Sequence, residues 1–111
     1  MHIVTKYHTG HTFWVPRVRK ETKQEELVWE GETWYKDIVT YVPYAKLKKI
    51  VCIDVHVGRA TRIVYGIKNI GDDVEDLTQF YPEANVNDYT EEEALSIAEE
   101  YAKQNQEYYG N

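Results

Sequence analysis

Apolar and polar residues alternate most cleanly from Lys49 to Val57. Val51, Ile53, Val55 and Val57 fall on one face of an extended chain, and Cys52, Asp54 and His56 fall on the other. Gly58-Arg59-Ala60 makes a short connection, and Arg62 to Ile67 returns with Ile63, Tyr65 and Ile67 on a shared face. Residues 49–68 therefore predict a β-hairpin. Upstream, residues 2–8 and 12–19 read as strands joined by a tight His8-Thr9-Gly10-His11 connection. Pro16 has no N–H for a ladder, which places its strand at an edge or a bulge. Arg17 to Glu26 is charged and Gly-free, the pattern of an exposed loop. Leu27-Val28-Trp29 then leads past Gly31 into an aromatic and β-branched run from Thr33 to Val42, closed by Pro43. Asn69 to Asp76 reads as an acidic turn region, and Leu77 to Val86 as irregular cover.

At Tyr89 the period changes. Thr90 with Glu93 three residues on is a capping box, and Glu91 and Glu92 complement the positive end of a helix. Tyr89 stands where it would staple onto Ala94. Ala94, Leu95, Ala98, Tyr101 and Ala102 recur at helical spacing, so 91–106 predicts an amphipathic helix with Glu92, Glu99, Glu100 and Lys103 toward water. Tyr108 and Tyr109 lie in a tail that frays or docks by its rings. Strands followed by one helix define an α+β fold, because no helix connects the strands. The expected form is a small curved antiparallel sheet, or an SH3-like open barrel, of five or six strands followed by one C-terminal helix. It makes one domain over 1–111: a β-rich part to residue 70, an acidic connection over 71–90, and the helix.

Composition narrows the class. With 111 residues, 42% hydrophobic and 29% charged, the chain is long enough for one core and too apolar to be disordered. A single cysteine, Cys52, excludes an intramolecular disulfide. The start of the sequence has no apolar signal-like region and no run long enough to span a membrane, so a soluble, cytoplasmic protein is expected. There is no P-loop, no other Gly-rich phosphate loop and no G-x-S-x-G elbow.

The net charge of −6 is unevenly spread. Residues 1–70 hold 12 Lys/Arg against 7 Asp/Glu, and residues 71–111 hold one Lys against 12 Asp/Glu. The second half reads as a solvated acidic face, as a surface that folds back on the basic half, within one molecule or between two, or as an imitation of phosphates toward a basic partner. Asp72, Asp73, Glu92, Glu99 and Glu100 would form that interface. Arg17, Arg19, Lys20 and Lys23 with Trp29 and Trp34 sketch a basic, aromatic surface. Glu21, Glu25, Glu26, Glu30 and Glu32 interrupt it, which argues against nucleic acid.

Ten Tyr and three Trp are too many rings for a small core, so some must face water or a partner. Tyr7, Trp14, Tyr35, Tyr41, Tyr44 and Tyr65 fill a small barrel core and its rims in this reading, or a few of them form an exposed ring that holds a planar ligand or an interface. Cys52, Asp54 and His56 on one strand face invite a catalytic reading. Residues two apart on a strand are about 6–7 Å apart, too far for a thiol–imidazole bond, and no catalytic residue is assigned. His8-x-x-His11 straddles a glycine turn with no cysteine nearby, so neither metal nor cofactor is expected.

The Tyr- and charge-rich β-meander, followed by a helix opening Thr90-Glu91-Glu92-Glu93-Ala94, resembles a class of small proteins encoded in phages and prophages. That resemblance implies a non-enzymatic modulator working in a host cytoplasm, binding a host protein or a small ligand. The expected function is thus binding of a macromolecule through exposed aromatics and the acidic helix. The alternative is a nucleotide-like ligand held between rings and Arg17, Arg59 or Arg62 in a module that is monomeric or dimeric. Trp14, Arg17, Trp29, Trp34, Tyr35, Arg59 and Arg62 are the candidate binding residues, and a small enzyme using Cys52, Asp54 and His56 comes last.

Overall fold

A computed structural model describes residues 3–71 and 78–109. Four strands form one open antiparallel sheet in chain order: β1 (Thr12–Trp29), β2 (Glu32–His56), β3 (Arg62–Asn69) and β4 (Gln79–Pro82). A single 3-10 turn, Glu83–Asn85, leads to the helix α1 (Glu91–Tyr109). The α+β class and the terminal helix are as expected, but the described strands number four, not five or six. Residues 3–8 are not a strand, and 79–82, expected to be irregular, pair with β3.

The largest departure is length. β1 runs for 18 residues and β2 for 25, so the segment 17–26 that reads as a loop is strand, and Pro43 does not end its run. Glu30 (φ 51°) and Gly31 (φ 77°) are the only residues between the two strands. Positive φ at both central positions is the type I′ turn, whose twist matches that of the flanking strands.

The chain divides into two compact units, Met1–Val15 with Lys46–Glu92 and Pro16–Ala45 with Glu93–Asn111. In the first, Tyr7, Phe13, Ile50, Tyr65, Ile67 and Val86 form the buried core, with Val15, Ile53, Ile63 and Tyr81 packed against it. The expected 49–68 hairpin is present: Ile50 pairs with Ile67, Ile53 with Tyr65 and Val55 with Ile63. A register shift between Ile50 and Cys52 alters its faces. The extra residue, Val51, lets Ile50 join Ile53 on the core face although the two lie an odd number apart, and Ile50 is completely buried. Val55 and Val57, expected on the buried side, are exposed instead.

The His8–His11 connection is the turn that the sequence predicts. The His11 N–H donates to the His8 carbonyl at 3.1 Å, and Gly10 takes φ 94°, which a type II turn requires at that position. Gly10 donates to the Ile50 carbonyl and Ile50 donates to the His11 carbonyl, so two residues oppose one and the chain swings into β1 through a glycine bulge.

In the second unit the helix buries Ala94, Ala98 and Ala102 and runs three residues beyond its expected end. Leu95 and Tyr101 of the expected stripe are exposed, because the buried line follows the alanines at four-residue spacing. The Gln106 amide fits the backbone of β2 as a neighbouring strand would. The Tyr41 N–H donates to its Oε1 at 3.2 Å and its Nε2 donates to the Val39 carbonyl at 3.1 Å. Among the described residues, no helix is long and apolar enough to cross a membrane.

Candidate interaction surface

From Arg19 to Asp37 every residue of the β1–turn–β2 ribbon is exposed. Closure by two residues sets Trp29 opposite Glu32, and strand alternation then places Leu27, Trp29 and Trp34 on one face and Val28 and Tyr35 on the other. These five apolar side chains at the tip are all open to water: Trp29 is 70% exposed, Tyr35 67% and Trp34 57%. Glu25, Glu26, Glu30 and Glu32 surround them, and Arg17, Arg19 and Lys20 lie further back on β1. Arg19 Nη2 meets Glu21 Oε1 at 2.8 Å on the exposed ribbon. A large amphipathic ring in water, bordered by charge, is the composition that protein interfaces favour.

Of the predicted binding residues, the ribbon gathers Trp29, Trp34 and Tyr35. Arg17 instead borders a depression with Pro16, Val18, Tyr101, Gln104 and Asn105. Trp14 is half-buried, and its N–H donates to the Tyr89 carbonyl at 3.1 Å. Arg59 lies exposed in the β2–β3 connection, and Arg62 lines a depression with Thr61, Pro82 and Glu83. Glu92, Glu99 and Glu100 are exposed on α1, and Asp72 and Asp73 lie outside the described residues. Of the rings expected in the core, Tyr7 and Tyr65 are buried, Trp14 and Tyr41 are half-buried, and Tyr35 and Tyr44 face water.

A second cluster, not anticipated from the sequence, lies in the first unit. Buried Tyr65 donates its hydroxyl to Glu83 Oε2 at 2.5 Å and accepts the Tyr7 N–H at 3.1 Å. The Lys6 N–H donates to the same Glu83 oxygen at 3.0 Å. Burial and the Glu83 carboxylate push the Tyr65 hydroxyl above its ordinary pKa, and the hydroxyl and amide donors hold Glu83 below the usual carboxylate value. Beside this network, the Tyr7 ring stacks on His11 at 5.1 Å, with His8 edge-on to His11 at 5.6 Å. His11 Nε2 lies 2.8 Å from Asp88 Oδ1, and Lys6 Nζ sits 5.5 Å from the Tyr7 ring centre. These side chains border an open depression of about 560 Å³. Among the described residues, no three His, Cys, Asp or Glu side chains gather as a metal ion would need.

Cys52 stands directly across from Gly66, and a Cβ on Gly66 would collide with its Sγ. That contact gives Cys52 a packing role. Asp54 and His56 are exposed further along β2. Comparison with known protein families, with curated proteins and with solved structures gives no match.

Proposed function

We propose that this chain is a non-enzymatic binding protein that engages a macromolecular partner through the tip of the β1–β2 ribbon. The observation that carries this reading is the exposure of Trp29, Trp34 and Tyr35 at the end of a ribbon whose residues 19–37 are all in water. Two tryptophans contribute nothing to a core from that position, and burying them against a partner recovers about 2–3 kcal/mol each. The glutamates around them favour a protein groove edged with Lys or Arg over a phosphate backbone or an anionic membrane. Exposed Glu92, Glu99 and Glu100 on α1 offer a partner a second acidic surface. The reading agrees with a phage-type modulator acting on a host macromolecule in the host cytoplasm.

The test compares captures from a bacterial lysate by the wild-type chain and by Trp29→Ser/Trp34→Ser, after circular dichroism shows both equally folded. A protein retained by the first and lost from the second supports the reading. Identical captures, or none, contradict it.

A further inference from the structure

The outer edge of β1 has no strand beside it among the described residues, and its charge order is complementary to itself. Trp29 and Glu32 close the type I′ turn with their backbone groups directed at each other. Odd-numbered residues of β1 therefore bond to β2, and even-numbered residues present N–H and C=O outward. Two details agree with this parity. Pro16, which lacks an N–H, falls in the outward set, and so does Trp14, whose N–H reaches the Tyr89 carbonyl. The outward groups from Val18 to Val28 have no neighbouring strand among the described residues. A long edge of this kind is a template for strand addition.

We infer that a second copy of this chain adds its own β1 to this edge, antiparallel, with Thr22 of both copies on the two-fold axis. Outward residues must meet outward residues, so the two copies can shift past one another only by even steps. With Thr22 at the centre, Arg19 stands opposite Glu25 of the second copy and Glu21 opposite Lys23 of the second copy, each pair occurring twice. Centring on Lys23 instead sets Glu21 against Glu25 and Lys23 against itself, with Lys20 against Glu26 as its one opposite-charge pairing. Centring on Glu21 sets Arg19 against Lys23 and Glu21 against itself, with Arg17 against Glu25 as its one opposite-charge pairing. Like charges directly opposite destabilise a pair of strands, so the Thr22 register is selected over its neighbours. A foreign strand has no reason to carry this complement, whereas a second copy carries it by construction. Pairing also converts a two-stranded ribbon, marginal alone with both faces in water, into four strands. The inference concerns the backbone edge and not the tip rings, so either proposal stands if the other fails.

The test is size-exclusion chromatography with light scattering of the full chain across micromolar to millimolar concentrations, with circular dichroism on every variant. The wild type is expected to approach twice its 13.1 kDa mass as concentration rises. Thr22→Pro removes an outward N–H without touching the β1–β2 ladder and leaves a monomer. Arg19→Glu weakens association about tenfold, and Arg19→Glu/Glu25→Arg restores it. Under mild oxidation Thr22→Cys gives a disulfide-linked dimer, and Lys20→Cys, displaced from the axis, does not. The inference is overturned by a monomer at every concentration, or by a dimer indifferent to both Thr22→Pro and Arg19→Glu. Equal cross-linking at Lys20→Cys and Thr22→Cys overturns it too.

Discussion

The residues packed around Ile50 and Tyr65 and those from Arg19 to Asp37 are both β-structure, yet opposite forces shape them. Around Ile50, three neighbouring strands and a half-buried hydroxyl–carboxylate bond fix the side chains. In the ribbon neither face is covered, and only the turn and the β1–β2 ladder define the conformation. Burial decides the fold in one region and is absent from the other. A surface that keeps two tryptophans in water contributes nothing to folding, which is why we read it as contact surface.

Substitutions should separate the regions sharply. Ile50→Ala empties a completely buried site and is expected to cost about 3 kcal/mol or more in chemical denaturation. Gly66→Ala drives a methyl toward Cys52 Sγ, with Thr78 Cγ2 at 3.0 Å and Phe80 Cε1 at 3.1 Å closing the other sides. A loss of about 1–3 kcal/mol is expected, and Cys52→Ala should recover part of it in a double-mutant cycle. The ribbon's equivalent change goes the other way. Glu30 holds φ 51°, a conformation that Asn adopts more readily, so Glu30→Asn should stabilise the hairpin by about 0.5–1 kcal/mol. Slower amide exchange confined to 19–37 would show it.

The regions should also differ in their response to pH. Glu83 is held below its ordinary value when folded, so its contribution is complete above that value and is lost as pH falls through the folded one. Tyr65 is raised, so its neutral form is favoured by folding. That contribution is complete below pH 10.0 and is lost as pH rises through the folded value. Tyr65→Phe should flatten both limbs of the stability profile, whereas ribbon substitutions should leave its shape unchanged.

What the sequence made legible follows the same division. The 49–68 hairpin, the Gly10 turn, the edge position of Pro16 and the helix start at Glu91 carry a period or a backbone requirement written in adjacent residues. The ribbon carries none, because a strand exposed on both faces has no apolar alternation, and Arg17 to Glu26 therefore reads as a loop. One extra residue at Val51 was enough to bring Ile50 onto the face of Ile53, whereas Val55 keeps that face opposite Ile63 and is exposed all the same. The Tyr65–Glu83 bond joins positions 18 apart through the pairing of β3 with β4, and nothing local marks Glu83. Of the site, the sequence pointed to Trp29, Trp34 and Tyr35 by surplus alone. Placing them together needed the two-residue turn.

The most direct test of the division is the melting temperature of Trp29→Ser/Trp34→Ser beside that of Ile50→Ala. The double tip variant should melt within about 2 °C of wild type, and the core variant about 10 °C or more below it. A tip variant that melts as far below wild type as the core variant would show that the rings belong to the fold and not to a contact surface.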